Sequence, residues 1–396
     1  MSKSKTIKNI RRYFVYILVR GLYGAIYFLP FGVKSLIGKF AGTACFYLMR
    51  SARLTALSNI ETAFPGITAE KADRIARASF RSMGMNVLEA LHLPRMSKED
   101  IKNMAEFENL DVFKTAMKEG KGLVVITGHL GNWEFFQAVM SVRGFPTTVI
   151  AQHYSNPWID KMITEIRESS GVHVIVRRRG KEKEVMKSAL DALKKGQPLG
   201  FLVDHYAKKG GIAVPFLGGE TSTPSGPSIF AMRSDAPVLF GYAMRKNGKF
   251  KVKFRHPIKV VSSNNRDCAL YLNAARFLEE VESEIKSHPE QWAWMHNFRR
   301  KHKKGIRRAE FENLPIVEIY SKKDCCLCDE AKNELSDILA RYPFKMKVTD
   351  ITYDSEKLGK YETEVPVVFI DGKKTSKLKF DKMRFQEKII ERLAEQ

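Results

Sequence analysis

The residues best suited to chemistry lie in the segment Thr127-Gly-His-Leu-Gly-Asn-Trp-Glu134. His129 follows an apolar run, and Glu134 comes at the start of a predicted helix. A carboxylate at this spacing is expected to accept the Nδ1 proton of the imidazole and leave Nε2 free as a general base. Backbone N–H groups from Gly128 to Asn132 would then stabilise an oxyanion. This arrangement suits acyl transfer to a hydroxyl, although a loop histidine beside a helix-capping acid has the same spacing.

Parallel strands buried on both faces are predicted to position this segment. Short apolar runs without polar alternation are separated by helical patterns. The predicted strands cover residues 122–127, 147–152, 172–176 and 199–204, and the predicted helices 132–142, 157–169 and 181–195. This order indicates a layered α/β domain, which binds ligands at the carboxyl ends of its strands. An Asn247-Gly248 turn predicts an antiparallel hairpin at the sheet edge, followed by a helix over 268–287.

The N-terminal region combines apolar and basic residues. Residues 1–60 contain ten Lys or Arg and no acid, and the apolar stretch 13–30 is interrupted by Arg20. A cleaved signal peptide does not fit, because the apolar pattern continues beyond a short core. We expect residues 1–50 to form a helical segment inserted in, or lying along, an anionic membrane surface. A buried pair of soluble helices is the alternative.

Length and charge limit the remaining possibilities. The chain has 396 residues and a formal net charge of +23 at pH 7, so we expect two folding units and an anionic partner. Five cysteines are too few and too clustered for a disulfide-stapled secreted protein. The basic run 299–308 lacks interleaved aromatic residues, which argues against a nucleic-acid partner. The predicted divisions are the N-terminal segment 1–50, a catalytic domain 51–303, a basic linker 304–314 and a C-terminal domain 315–396.

Several motifs of residues 10–303 resemble the late lipid A acyltransferases, the lauroyl and myristoyl transferases of the wider lysophospholipid acyltransferase family. They are RLTALSNIETAFPGIT at 53–68, TGHLGNWE at 127–134, Tyr154-Ser-Asn-Pro157 leading to Arg167 and Gly171, FLVDHYAKKGGIAVPFLGG at 201–219, and HPEQWAWMHNFRR at 288–300. One position departs, since the family often has Gln where this chain has His205. The resemblance implies a glycerol-phosphate-acyltransferase-like α/β fold with an N-terminal membrane helix.

The same resemblance implies roles for individual residues. In that family the histidine of the motif is the base and its acid partner orients it, which gives these roles to His129 and Glu134. Arg167 would bind an acceptor phosphate, and Asp204 would order Arg167 or an acceptor hydroxyl. A solvated arginine and a capping aspartate are the alternatives. With Gly128 and Asn132, these two residues complete the predicted substrate site.

Partners and location also follow from the resemblance. It implies acyl-acyl carrier protein, or acyl-CoA, as co-substrate, a phosphorylated glycolipid acceptor and no required metal or cofactor. The expected location is the cytoplasmic face of a bacterial inner membrane. A phospholipid or aminolipid acyltransferase differs only in its acceptor. A noncatalytic membrane-bound redox or scaffold protein is the alternative from another class.

The C-terminal residues follow a thioredoxin-like order. A strand precedes the CxxC pair Cys325 and Cys328, and a Val-Pro pair precedes a later strand. This region resembles the small glutaredoxin-like proteins, which implies a dithiol at a helix N-terminus beside a cis-proline, Pro366. The alternative is a degenerate fold that serves as an interaction module. The fold class allows glutathione as a partner, but no residue pattern supports it.

Overall fold

Buried strands and amphipathic helices alternate along most of the chain, as the apolar runs predict. The computed structural model describes residues 3–178, 180–208, 210–298, 306, 311 and 313–395. Two compact units are distinguished. Unit 1 comprises Met1–His205, Ile229–Lys259 and Phe277–Phe298, and unit 2 comprises Tyr206–Ser228, Val260–Arg276 and Arg299–Gln396. Most of the predicted linker 304–314 lies outside the described residues, and the predicted domain boundaries stay predictions.

Unit 1 contains both helices and strands. Its helices are α1 (Lys3–Tyr27), α2 (Phe31–Leu48), α3 (Arg50–Ala63), α4 (Ala69–Ala90), α5 (Lys98–Asn103), α6 (Leu110–Lys118), α7 (Trp133–Val142), α8 (Pro157–Glu168) and α9 (Glu182–Lys194), with 3-10 turns at Leu93–Arg95 and Pro289–Gln291. Its strands are β1 (Ala105–Glu108), β2 (Leu123–Thr127), β3 (Thr148–Gln152), β4 (His173–Arg177), β5 (Pro198–Leu202), β8 (Val238–Lys246) and β9 (Lys249–Phe254). Helices α10 (Gly226–Ser234) and α11 (Arg266–Ser287) have residues in both units.

The strands of unit 1 form one sheet in the order β1-β9-β8-β2-β5-β3-β4. The predicted strands and helices of residues 122–204 are confirmed within a few residues. All five residues of β2 are buried, as expected for a parallel strand covered on both faces. The β8–β9 hairpin is confirmed as antiparallel, but its placement at the edge was wrong, because β1 pairs with β9 beyond it.

One core of unit 1 lies between the sheet and the helices that cover it. Phe135 of α7 stacks on Phe250 of β9 with ring centroids 4.0 Å apart, and Phe113 of α6 contacts Phe254 at 4.8 Å. These rings belong to a larger cluster of buried apolar residues. Burying them fixes α7, and with it the segment that precedes α7, against the sheet.

The N-terminal helix exposes an apolar stripe. The stripe consists of Ile7, Ile10, Phe14, Ile17, Leu18 and Leu22, each at least 48% exposed. Their spacing places them on one face, while Tyr13 and Tyr16 of α1 pack against Trp158 of α8. Within the described part of the chain, no helix combines the length and apolarity needed to cross a membrane. The expected N-terminal membrane helix is therefore not supported as a spanning segment.

Unit 2 has the predicted thioredoxin-like order. Its elements are the hairpin β6 (Gly211–Phe216) and β7 (Gly219–Pro224), then β10 (Ile316–Ser321), α12 (Cys326–Arg341), β11 (Lys345–Asp350), α13 (Ser355–Tyr361), β12 (Val367–Ile370), β13 (Lys373–Lys377) and α14 (Lys382–Ala394). The four C-terminal strands pair in the order β11-β10-β12-β13, with β10 and β11 parallel. The peptide bond before Pro366 is cis, as the resemblance implies.

Candidate active site

The site of unit 1 is built where two adjacent parallel strands end. Strands β2 and β5 pair in register, with Thr127 opposite Leu202. The residues that follow each strand therefore emerge at the same edge of the sheet. There the Nδ1 of His129 lies 2.9 Å from Oδ1 of Asp204, and the backbone N–H of His129 donates to Oδ2 of Asp204 at 2.6 Å. The carboxylate thus holds both the ring and the backbone of the histidine.

Asp204 is enclosed and fully engaged. Its side chain has no exposed surface, and Nε1–H of Trp292 donates to its Oδ2 at 2.7 Å. A Cβ added at Gly128 would lie 2.8 Å from that same oxygen, so glycine is required for this close approach. Burial alone would raise the pKa of Asp204, but His129 and the bonds from Trp292 and the backbone outweigh it and hold the pKa below its usual value. Asp204 is therefore an ionised acceptor.

An ionised acceptor on Nδ1 determines the tautomer of His129. Because the carboxylate accepts only, neutral His129 carries its proton on Nδ1 and presents an unprotonated Nε2. The side chain is 17% exposed, so the ring retains a path to substrate. Burial would lower the pKa of His129, but the carboxylates of Asp204 and Glu134 outweigh it and raise the pKa above its usual value. This combination provides an oriented base of increased strength.

The carboxylate on His129 corrects the prediction from the sequence. Glu134 is not on Nδ1. It instead accepts a bidentate pair from Arg167, with Nε to Oε2 at 2.9 Å and Nη2 to Oε1 at 2.5 Å. Trp133 and Gln137 also donate to Glu134. Since α7 begins at Trp133, Glu134 lies in its first turn and pairs with the last turn of α8. Glu134 was expected to contact His129 and instead pairs with Arg167, while Asp204, which was expected to order Arg167 or an acceptor hydroxyl, contacts His129.

Three of the backbone N–H groups that were predicted to form an oxyanion site have partners within the protein. The N–H groups of His129, Gly131 and Asn132 donate to Asp204, to the carbonyl of Gln291 and to the carbonyl of Ala243. These donors are therefore occupied within the protein.

The side chain of Asn132, which was predicted to contact substrate, is enclosed by protein partners. It is 1% exposed, its Oδ1 accepts from the N–H of Phe135 as the cap of α7, and its Nδ2 donates to Glu89. Gly128 likewise makes room for Asp204.

A buried ion-pair network supports the loop of His129 and was not predicted. Arg245 of β8 donates to both carboxylate oxygens of Glu89 of α4, and Glu89 is 2% exposed. Asn86 of α4 accepts from Arg245 and donates to the carbonyl of Gly131 at 2.7 Å. These bonds join α4, β8 and the loop that carries His129. The apolar periodicity of α4 does not predict these ion pairs, because an acidic residue on a buried helix face interrupts the apolar pattern.

Aromatic and imidazole rings surround His129. Trp133, His296 and His205 have ring centroids 4.9, 5.3 and 5.9 Å from it. Burial, together with the nearby charge of His129, lowers the pKa of His296 to about 4, so His296 is neutral near physiological pH. Trp292 and Trp294 are 2% and 0% exposed, which makes them core residues.

The dithiol of unit 2 is a separate candidate site. Cys325 and Cys328 are joined as a disulfide with Cα atoms 5.3 Å apart, and Cys328 is fully buried while Cys325 is partly accessible. Both pack with Val365, which precedes Pro366. Cys325 caps α12, and its sulfur accepts from the N–H of Cys328. In the described residues, no group of three or more His, Cys, Asp or Glu side chains has metal-binding geometry.

Comparison with known proteins matches both parts of the chain. Residues 1–301 match the family model of bacterial lipid A biosynthesis acyltransferases, and residues 316–394 match that of a glutaredoxin-like domain. A lipid A biosynthesis palmitoleoyltransferase of Escherichia coli (strain K12) is 25% identical over 68% of this chain and 85% of its own length. A lipid A biosynthesis acyltransferase of Haemophilus influenzae is 24% identical over 70% and 85%. A phosphatidylinositol mannoside acyltransferase of Mycolicibacterium smegmatis is 26% identical over 43% and 56%. Both resemblances drawn from the motifs are confirmed.

Proposed function

Because the chain belongs to the bacterial lipid A biosynthesis acyltransferase family, we propose that it moves a fatty acyl chain from a carrier thioester to a glycolipid hydroxyl. The donor is acyl-acyl carrier protein, with acyl-CoA as the alternative thioester. The acceptor is a phosphorylated lipid A precursor or a related glycolipid. The observation that carries this proposal is the contact of 2.9 Å between His129 and the buried Asp204.

In the proposed reaction, Nε2 of His129 removes the proton of the acceptor hydroxyl. The hydroxyl oxygen attacks the thioester carbonyl, a C–O bond forms and the carbonyl electrons move onto oxygen. When the tetrahedral intermediate collapses, the C–S bond breaks and the pantetheine sulfur takes the proton back from His129. Asp204 stays ionised and stabilises the imidazolium between these two steps. Its burial supports this role, because the attraction is stronger away from water.

Arg167 and Glu134 are proposed to bind and position substrate. Their side chains are each 14% exposed, and the guanidinium is held in a fixed plane by the bidentate pair. A cation held this way favours an anionic group next to His129, such as an acceptor phosphate. The negative field of Glu134 contributes to the raised pKa of His129. Glu134 therefore acts on the base through space instead of through a hydrogen bond.

We further propose that unit 1 works at an anionic membrane surface, on the cytoplasmic face of a bacterial inner membrane. The exposed apolar stripe of α1 supports insertion into the interfacial region of a bilayer. The acid-free first sixty residues support attraction to anionic headgroups. An acceptor that is itself a membrane lipid would be reached there.

The dithiol of unit 2 is proposed to undergo reversible oxidation. Cys325 is the accessible thiol and Cys328 the buried one, which is the arrangement needed for attack by one sulfur and resolution by the other. Mass spectrometry after mild oxidation should find the Cys325–Cys328 disulfide. A domain in which both thiols stay reduced would instead be an interaction module.

The acceptor could also be a phospholipid or an aminolipid, since the chemistry at His129 would not change. The match to a phosphatidylinositol mannoside acyltransferase favours retaining this second candidate. A noncatalytic scaffold is disfavoured by the intact pair of His129 and Asp204.

The test is acyl transfer by the purified 396-residue chain, with acyl carrier protein thioester and a lipid A precursor as substrates. His129→Ala should reduce the rate by at least about a hundredfold, because general-base catalysis contributes this much or more. His256→Ala, which changes an exposed histidine, is the matched control and should retain the rate. Near-full activity of His129→Ala would refute the proposed function.

A further inference from the structure

A basic pocket lies in unit 2, between β13 and α14. Its volume is about 370 Å³, within the range of small-molecule sites. The lining contains five cationic side chains, one carboxylate, two hydroxyls and one aromatic ring. These residues are Lys374, Lys377, Lys379, Arg384, Lys388, Asp381, Thr375, Ser376 and Phe385. The dithiol residues are not among them, so the acyl-transfer and dithiol proposals do not account for this pocket.

The positive charge is concentrated locally. Residues 315–396 contain 16 basic and 16 acidic residues and are therefore neutral as a whole. Within them, residues 373–388 carry seven Lys or Arg and two acids. A neutral region that gathers its cations around one pocket creates a positive potential there, which attracts an anion.

Some of the pocket cations already have partners. Lys374 and Lys377 both donate to Glu364, and their hydrogen bonds lower the pKa of that carboxyl to about 2. The Nζ of Lys388 donates to the carbonyl of Thr375 in a long hydrogen bond of 3.4 Å.

Two further cations are uncommitted. Among the described residues, no carboxylate lies within ion-pair distance of the side chains of Lys379 or Arg384. Both side chains are exposed. They are therefore available to a ligand.

The other lining groups fit a small anion. Asp381 is occupied as the cap of α14, where its Oδ1 accepts from the N–H of Arg384 at 3.0 Å. Phe385 is 2% exposed and gives the pocket a rigid apolar wall. The hydroxyl of Ser376 donates to the carbonyl of Lys379 at 3.3 Å, which fixes the loop that carries this lysine. Cations from a strand, a loop and a helix thus surround one cavity.

We propose that this pocket binds a phosphate-bearing ligand, either a soluble phosphate compound or the headgroup of a lipid. A phosphomonoester or pyrophosphate carries more than one negative charge and several acceptor oxygens, which match an arginine fork together with lysines. A single carboxylate would leave one of the two uncommitted cations without a counter-charge. The site is independent of the proposed acyl transfer.

The test measures binding of sodium pyrophosphate to the whole 396-residue chain by isothermal titration calorimetry at about 0.15 M salt, where diffuse surface charge is screened. Lys379→Gln/Arg384→Gln should raise the Kd roughly tenfold, because it removes two charge-assisted hydrogen-bond donors. Lys345→Gln/Lys360→Gln removes the same charge from exposed positions of this unit outside the pocket. This control should change the Kd less than about twofold.

The proposal is overturned if pyrophosphate does not bind, if both double variants weaken binding equally, or if glutathione binds in its place. Flotation with phosphatidylcholine vesicles that contain phosphatidic acid or phosphatidylglycerol then distinguishes the two sources. Reduced recovery of the pocket variant on phosphatidic acid vesicles alone indicates a lipid phosphomonoester. Unchanged recovery of the pocket variant on both kinds of vesicle, together with weakened pyrophosphate binding, indicates a soluble phosphate compound.

Discussion

The partner of His129 Nδ1 determines which nitrogen can act as the base. Asp204 holds that position, while Glu134 binds Arg167 and influences His129 through its charge alone. His129 and Glu134 were selected from their motif, and Arg167 and Asp204 were selected through the family resemblance. Their pairing was not, because it depends on which strand lies next to β2. The order of the strands along the chain does not determine that β5, rather than β3, pairs with β2.

At the residue scale, Glu134→Gln should destabilise unit 1. It leaves Arg167 with an unpaired charge at 14% exposure, which should lower the free energy of unfolding by about 3 kcal/mol. Adding Arg167→Gln should restore most of that loss, because it removes the uncompensated cation. Urea denaturation followed by tryptophan fluorescence measures this, since all four tryptophans lie in unit 1.

Glu165→Gln is the matched control on α8. Glu165 is 57% exposed and pairs with Lys161 at 3.8 Å, so its loss should change stability by less than about 0.5 kcal/mol. If Glu134→Gln has no larger effect than this control, the pair with Arg167 does not stabilise the site.

At the scale of elements, α4 connects the N-terminal helices to the active-site loops. Its Ser79 donates to the carbonyl of Trp292, and its Asn86 donates to that of Gly131. Helix α2 packs on α4 through glycines at Gly38, Gly42 and Gly84. The sequence predicted α2 only as part of the N-terminal helical segment 1–50, since nothing in it identifies α4 as the partner. The strands and helices of residues 122–204 were predictable because their periodicity is local.

Gly42→Ala should separate α2 from α4. Its Cβ would lie less than 3.0 Å from the backbone of Phe80 and Arg81, which cannot move as a flexible side chain would. Overpacking of this kind costs about 2 kcal/mol. Gly32→Ala, in the same helix, has nothing within 4 Å of its added Cβ and should be neutral. Equal urea midpoints for the two variants would contradict the close packing of these helices.

At the scale of the whole molecule, the net charge of +23 comes from the part that precedes residue 315, because residues 315–396 are neutral. Composition therefore predicted an anionic partner. It did not predict the apolar stripe of α1, which depends on the other face of that helix packing against α8.

Phe14→Glu/Leu18→Glu should weaken binding to vesicles that contain anionic lipid. Both side chains are more than half exposed, and charges on the stripe oppose its insertion. Flotation measures the effect, with Tyr353→Glu as a control at an 89% exposed aromatic residue of unit 2. Equal recovery of the two variants would show that the stripe does not contact the membrane.

The most direct test of the central claim is the pH dependence of acyl transfer by the wild type, Asp204→Asn and Glu134→Gln. A general base must be neutral, so the rate rises with pH through the pKa of His129, which lies above its usual value near 6.5. This rise of the rate with pH is the acidic limb of the profile. His296 cannot produce it, since its pKa is about 4.

Asp204→Asn removes the main group that stabilises the imidazolium. It should therefore lower that pKa, move the limb to lower pH and reduce kcat by about a hundredfold or more. Glu134→Gln should move the limb in the same direction but less. If Asp204→Asn leaves the acidic limb in place and Glu134→Gln shifts it, Asp204 is not the partner of the base.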